Sequence, residues 1–375
     1  MTFTLPEHHR ALVLESVEAG FQVKDVPTPR PEPGSAILRI EAAGIVSYHR
    51  EIYNGFRQYP FPTPLVGGYS AIGRIAAIGP DATVLQPGQL VYADCVITAR
   101  DDSESIFLTA IHEGFTDGTK KLIKDVWRDG YWAEYAKVPL ENIVLLDETR
   151  LCKDLGYSVQ ELIYMSYLMV PFGGLRDIKL EPGEVVVVCP ATGGYGGAGV
   201  MVAIAMGARV IAMGRNENEL SRLKAHVLES SPKADIETVK MTGDEMVDAA
   251  TLKAFGTIDA VLDFTPPQAS KSPHLRSAIW SLRRGGRVSL MGFHEDPFVP
   301  IIMGKNLSLH GKLMYARNDM VLFVKMLERG LFPRGRAFTE TKTFKLQDWK
   351  FFFSKEALNM AAEHTGIGKF VNFTP

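Results

Sequence analysis

The chain has 375 residues, 46% of them hydrophobic and 22% charged, with 41 Lys and Arg against 43 Asp and Glu. That length accommodates two domains with separate cores. The near balance of charge, with no local basic run, argues against nucleic acid or an anionic membrane as partner and leaves a small molecule.

Residues 1–10 carry Pro6, Glu7, His8 and His9 and so lack the apolar centre of a signal peptide. The longest apolar stretch, around 185–210, is interrupted by six glycines and a proline, too often for a membrane helix. Three widely spaced cysteines, Cys95, Cys152 and Cys189, do not make a disulfide framework and fit a reducing, cytoplasmic location.

Up to about residue 150 the sequence reads as short strands punctuated by Pro and Gly: Ala36–Ala43, Gly73–Ile78 and Gln89–Tyr92, with turns at Gly79-Pro80-Asp81 and Pro87-Gly88. Residues 97–129 interrupt this with a polar and aromatic insertion, read as a surface lobe. From about Ser158 the texture changes. A helix is predicted over Val159–Met169, then a turn at Leu180–Gly183 and a β-branched run at Val185–Val188. An apolar helix from about Gly197 to Met206 and a strand at Val210–Met213 follow, and apolar strands recur at Ile258–Leu262 and Arg287–Met291. Strand–helix–strand alternation with apolar strands predicts a doubly wound parallel sheet covered on both faces, an α/β class. Beyond about 335 short strands return at Lys342–Phe344 and Phe370–Phe373. The predicted division is therefore 1–165 for an N-terminal β domain, 166–314 for a parallel-sheet domain inserted into it, and 315–375 for the return.

The strongest local signal is Ala191-Thr192-Gly193-Gly194-Tyr195-Gly196, between the Val185–Val188 strand and a helix. Glycines there let the backbone turn sharply and approach a pyrophosphate, with helix N-terminal amides facing the anion. The first glycine of the usual pattern is Ala191, and a tight turn without ligand is the plainer alternative. At the end of the next strand, Met213-Gly214-Arg215-Asn216 offers no acidic residue before Glu217. An NAD site places a carboxylate at this point for the ribose hydroxyls. Arg215 instead suits a 2′-phosphate and hence NADP(H) over NAD(H); a solvated arginine at a helix start is the other reading.

Together with this loop, four further stretches resemble the medium-chain dehydrogenase/reductase superfamily nearly end to end. They are Pro64–Tyr69 with Gly73 and Gly79; Asp129–Tyr135 with Val138-Pro139 and Asn142; Arg284–Val288 with Met291-Gly292-Phe293; and the Gly368-Lys369 turn. The resemblance implies a GroES-like β-barrel catalytic domain, a Rossmann domain, and a nicotinamide held in a cleft between them, flanked by Met291, Gly292 and Phe293. Lys369 joins the cofactor-binding set, and Thr265 follows a strand whose carboxyl end is where ligands of open α/β sheets bind. Dimers and tetramers are both usual among such proteins, so a homodimer is an expectation of the resemblance alone.

The departures from the family pattern are informative. Zinc-dependent members have a cysteine in the turn that reads Gly44-Ile45-Val46 here, and His-Glu where this chain has Gly67-Gly68-Tyr69. The third ligand position falls near Met165, with no Cys or His between 153 and 188. The second zinc of that group needs four cysteines, and the chain has three. These residues are not a zinc donor set, so no metal is expected at either place.

Without a Lewis acid, reduction of a conjugated enone, enoyl group or quinone is easier than that of an isolated carbonyl, because hydride at the β-carbon leaves charge spread over an enolate. Tyr48 aligns with a family hydroxyl that relays protons, and His49 is placed to pass the proton to solvent. The plainer alternative has Tyr48 as cleft wall and His49 on the surface. Tyr69, at a former ligand position, either acts in the site or fills the vacated volume. Cys95 reads as a buried small residue. Tyr53, Phe56, Tyr59 and Phe61 line a hydrophobic pocket or fill the barrel. The expected activity is a zinc-independent, NADPH-dependent reduction of an activated C=C bond. A metal-free carbonyl reductase or alcohol dehydrogenase, and a non-catalytic dinucleotide-binding protein, are the competing readings.

Overall fold

A computed structural model describes residues 4–295, 299–349 and 357–375. The chain divides into two compact units, 1–166 with 340–365 and 370–375, and 167–339 with 366–369.

The first unit is built from ten strands before residue 150. β1 (His8–Leu14), β2 (Phe21–Pro27), β3 (Ser35–Ile45), β4 (Leu65–Val66) and β5 (Ala71–Ile78) come first. They are followed by β6 (Leu90–Ala93), β7 (Val96–Thr98), β8 (Ile106–Leu108), β9 (Tyr135–Pro139) and β10 (Ile143–Leu145). β2-β1-β4 form one antiparallel sheet. The larger sheet runs β10-β6-β5-β3, with β9 also on β3, and is completed by strands from the chain's end. Two register shifts between β3 and β5 bend this long pair, as bulges do where a sheet curls toward closure.

The insertion is more than a polar lobe. β7 and β8 pair as a small ribbon, and a helix, Asp117–Asp125, starts with a reciprocal Thr116–Thr119 cap. Ile97, Phe107 and Ile123 form their own apolar centre, with Leu122 and Trp127 packed against it.

The second unit contains β11 (Val185–Cys189), β12 (Arg209–Gly214), β13 (Ile236–Lys240), β14 (Ile258–Asp263), β15 (Leu282–Leu290) and β16 (Ser308–Gly311). They form one six-stranded parallel sheet in the order β13-β12-β11-β14-β15-β16. This is the doubly wound Rossmann order, with the reversal between β11 and β14. Val187, Ile211, Val261 and Val288 from four strands share one apolar core with Leu252, Leu275 and Ile279 from the covering helices. The two strands without a clear sequence signal, β13 and β16, are the edges of the sheet, where partial burial leaves only a diluted apolar pattern.

The return to the first unit comes at Glu340, later than the expected 315. Residues 315–339 stay with the second unit because the helix Arg317–Glu328 packs Phe323 on Phe172 and Phe332. β17 (Glu340–Phe344) and β18 (Lys369–Phe373) then finish the large sheet, β18 pairing with β3. The predicted helix over Val159–Met169 is two helices, Val159–Leu162 and Met165–Asp177. The first opens on a Ser158–Glu161 capping box and the second continues past Pro171. Among the described residues no helix is long and apolar enough to cross a membrane.

Candidate functional site

In the first unit, β3 ends at Ile45 and the chain turns through Val46–Ser47–Tyr48 into the short helix His49–Tyr53. Tyr48 stands at that helix start, half-buried, with the Arg57 guanidinium 4.4 Å from its ring centroid. His49 does not reach solvent. It is 0% exposed, with Trp132, Tyr53 and Tyr69 rings at 5.1, 5.3 and 5.4 Å. Its Nδ1 accepts from the Val46 N–H at 3.2 Å, and Nε2 has no hydrogen-bond partner. Burial pushes its pKa down to about 3. Both sequence expectations for His49, a relay to solvent and a surface position, are corrected by this: the ring is a neutral core imidazole that pins the turn after β3.

A pH dependence follows. An unfolded histidine titrates near 6.5, so as pH falls from there toward 3 the unfolded chain gains a proton that folded His49 refuses. Its stabilising contribution is complete above about pH 6.5, and about 2 kcal/mol of it is lost by pH 5. Denaturant titrations of the chain and of His49→Gln, which keeps an acceptor, should diverge over that window; parallel curves would refute the assignment.

Tyr69 is 2% exposed, and its hydroxyl lies 2.5 Å from Ser166 Oγ. Ser166 donates to the Ile163 carbonyl at 2.8 Å, so the phenol is the donor between the two. Its ring lies so close to Gly44 that a Cβ there would meet Cε1 at 2.9 Å. Trp132 donates its indole N–H to the Gly44 carbonyl at 3.1 Å and covers Gly67 and Gly68. Gly68, at φ 99°, leaves no room for a side chain beneath that indole. Thus a phenol and an indole fill the neighbourhood of the Gly44–Val46 turn, and Val46 and Met165 are buried apolar residues. This donor set does not fit a catalytic zinc.

The four aromatics around Gly55 split. Tyr53 is core, donating to the Ala110 carbonyl at 2.8 Å, whereas Phe56 is 75% exposed. Tyr59 packs on His112 of the insertion, and Phe61 packs on Tyr53. Cys95 is buried.

In the second unit, the Ala191–Gly196 loop links β11 to the helix Gly194–Ala205, which carries no side-chain cap at Gly193. A Cβ on Gly193 would meet nothing within 4 Å, whereas one on Gly196 would sit 2.1 Å from the Pro190 carbonyl oxygen. The loop is therefore open on one side and sterically fixed on the other, a cradle suited to a pyrophosphate at a helix N-terminus. The Ala191 N–H donates to the Met213 carbonyl at 2.8 Å, so Ala191 does permit the turn. Thr192 packs against Gly214, and Gly366 lies against Thr192 in the turn that ends at Lys369. Tyr195 stacks on Tyr167 at 4.5 Å, a partner the sequence reading missed. Arg215 is exposed beside Lys240 at a shallow depression of about 600 Å³ also lined by Asn216, Glu217 and Asn218. The Asn216 side chain is committed, capping the next helix through Asn218 N–H and Glu219 N–H.

At the carboxyl ends of β14 and β15, Met291 N–H donates to the Asp263 carbonyl at 3.1 Å and Phe293 N–H to the Thr265 carbonyl at 2.8 Å. A Cβ on Gly292 would sit 2.2 Å from Thr265 N. Thr265, Met291, Gly292 and Phe293 are thus one welded patch. Sequence reasoning missed its buried side: Asp263, His274 and His294 converge on the Thr265 hydroxyl. Cys189, Asp263 and His274 also bring three potential ligand atoms within 4.8 Å of one another, but the Thr265 hydroxyl bonds both Asp263 and His274 and occupies the space between them.

Residues 32–148 match the family model described as the alcohol dehydrogenase GroES-like domain. "Alcohol dehydrogenase 1" of Caenorhabditis elegans is 25% identical over 88% of this chain and 90% of its own. Residues 32–148 thus carry that domain, and the chain as a whole is similar to medium-chain dehydrogenases/reductases. "Acryloyl-coenzyme A reductase" of Metallosphaera sedula is 28% identical over 56% of this chain and 60% of its own length. A cobalt- and zinc-bound thermostable alcohol dehydrogenase from Pyrobaculum aerophilum, 22% identical, superposes with a TM-score of 0.73 over 98% of this chain and 100% of the other. At that identity the superposition speaks for the fold. These likenesses make the protein an oxidoreductase with the GroES-like and Rossmann architecture described above.

Proposed function

We propose that this oxidoreductase transfers hydride from NADPH to the activated C=C bond of a small hydrophobic enone, enoyl thioester or quinone, without zinc. The observation that carries the zinc-free reading is the Tyr69 phenol packed on Gly44 with its hydroxyl bound to Ser166, at a place where zinc-dependent relatives have a ligand. Relatives named acryloyl-coenzyme A reductase, from Metallosphaera sedula and Sulfurisphaera tokodaii, support C=C reduction.

NADPH, when bound, supplies the hydride. The Thr192–Gly196 loop cradles the pyrophosphate, Gly214 lets the adenosine end approach, and Arg215 takes the 2′-phosphate. Thr265 with Met291–Phe293 flanks the nicotinamide end, and Lys369 closes the turn over the loop. Tyr48 donates a proton to the enolate left after hydride arrives, and Arg57 over its ring stabilises the negative charge its oxygen takes on. Ketone or aldehyde reduction is the second reading, favoured by the relatives named alcohol dehydrogenases.

Metal-stripped protein should bind NADPH, by fluorescence titration, and oxidise it with an enone at the rate of untreated protein. The expected product is the saturated ketone. An alcohol product would select the second reading, and activity returning only with added zinc would refute the zinc-free site.

A further inference from the structure

The buried face of the β14–β15 patch holds a hydrogen-bonded cluster centred on the Thr265 hydroxyl. Asp263 ends β14 with its side chain fully buried, and its Oδ2 has no hydrogen-bond partner. Its Oδ1 accepts from the Thr265 hydroxyl. Nε2 of His274 and of His294 lie 2.8 and 2.9 Å from the same Thr265 oxygen. Thr265 has one proton, given to Asp263, so both imidazoles must be the donors to it. His274 Nδ1 then accepts from Ser272 Oγ at 2.7 Å. His274 is buried at 2% side-chain exposure; His294 is 10% exposed and is the member that meets solvent.

This geometry has a second arrangement that keeps all three bonds to Thr265. A proton arrives at His294 Nδ1, and the Nε2 proton passes to Thr265 Oγ1. The original Thr265 proton passes to Asp263 Oδ1. Afterwards Asp263 donates to Thr265, Thr265 donates to His294 Nε2, and His274 still donates to Thr265. One N–H bond and two O–H bonds have formed, one N–H and one O–H have broken, and the cluster has gained one proton. We propose that His294, Thr265 and Asp263 form a proton relay in the Rossmann unit that stores one exchangeable proton on the Asp263 carboxyl, beside the strand ends that bind the dinucleotide.

The surroundings favour such storage. Burial pushes the Asp263 pKa up to about 7, while the Thr265 hydroxyl and the backbone N–H groups of Thr265 and Gly292 hold it down. From β11, the Cys189 thiol is kept protonated by burial and by Asp263. From the helix His274–Ser281, His274 is held down to about 4, by burial first and then by His294 and Arg215. Lys271 and Glu295 lie at the rim as a pair 3.8 Å apart. An ionised Asp263 therefore has no fixed counter-ion among the described residues that contact it, and a proton is its natural partner. With the site read as a dinucleotide site, the incoming phosphates add negative charge and draw the proton onto Asp263.

Infrared difference spectroscopy of the protein without cofactor tests the relay independently of that reading. A protonated-carboxyl carbonyl band should rise as pH is lowered through about 7 and be missing from Asp263→Asn. Thr265→Val should move its midpoint upward by about one pH unit because the bond to the ionised form is lost; Thr265→Ser should restore it, and His294→Ala should shift it in the same direction. Absence of the band, or a midpoint that ignores Thr265 and His294, overturns the relay. Calorimetry of NADPH binding in two buffers of different ionisation enthalpy then counts protons: uptake by the wild type at pH 7 and none by Asp263→Asn. Binding without uptake would overturn the coupling to the dinucleotide. Failure to bind NADPH would strike the functional reading and leave the infrared result standing.

Discussion

Replacing Tyr48 by phenylalanine should lower kcat for enone reduction by about 100-fold or more, the usual worth of a positioned general acid. The affinity for NADPH should stay within about twofold. The phenol oxygen is what changes, while the ring that Arg57 covers and the helix start it occupies are preserved. His49, the neighbouring candidate, is sealed among three aromatic rings and cannot substitute as a proton source. Steady-state rates with a slow enone, measured against pH, would check this. A loss below about threefold would show that the proton comes from elsewhere, the β14–β15 cluster or water.

Arg215→Ala should raise the NADPH dissociation constant by roughly 10- to 100-fold and leave that for NADH unchanged, since a charge-assisted bond to the 2′-phosphate is worth about 1.5–3 kcal/mol. Arg215 is exposed at the end of β12, next to Lys240, whose ammonium is 3.4 Å from Glu217. Because the contact is solvent-exposed, the discrimination should shrink with added salt. Fluorescence titration at two ionic strengths measures both effects. Equal weakening of NADPH and NADH would mean that Arg215 shapes the loop and does not select the cofactor.

The legible parts of this protein are those governed by local rules. The β11 strand, the glycine loop and the following helix stand together in sequence, and their chemistry is set by neighbours a few residues apart. The apolar runs of β12, β14 and β15 are visible because central parallel strands are buried on both faces. β13 and β16 escape because edges carry no such run. The 97–129 insertion reads as polar, yet Ile97, Phe107 and Ile123 meet across 26 residues (97 to 123) to make a core that no window of sequence contains.

The candidate site divides in the same way. The absence of Cys and His from the Gly44–Val46 turn, the Gly67–Tyr69 turn and the 153–188 stretch is a matter of sequence alone, and so is the missing carboxylate before Glu217. Which way His49 points is not. Its neighbours Tyr48 and Arg50 are half-buried and exposed, and only the ring of Trp132, 83 residues later (132 − 49), makes that position a core. Asp263, Thr265, His274 and His294 form no recognisable spacing, because a strand end, a helix start and the end of the next strand bring them together. By itself the sequence carried the resemblance to the superfamily, the Rossmann crossover and the departures from the zinc pattern, all set by short-range backbone demands and residue chemistry. Burial decided the rest: which tyrosine is sealed in the core and which is half-buried, which histidine is neutral, and where a buried carboxyl needs a proton, because desolvation depends on what packs around a group from distant parts of the chain.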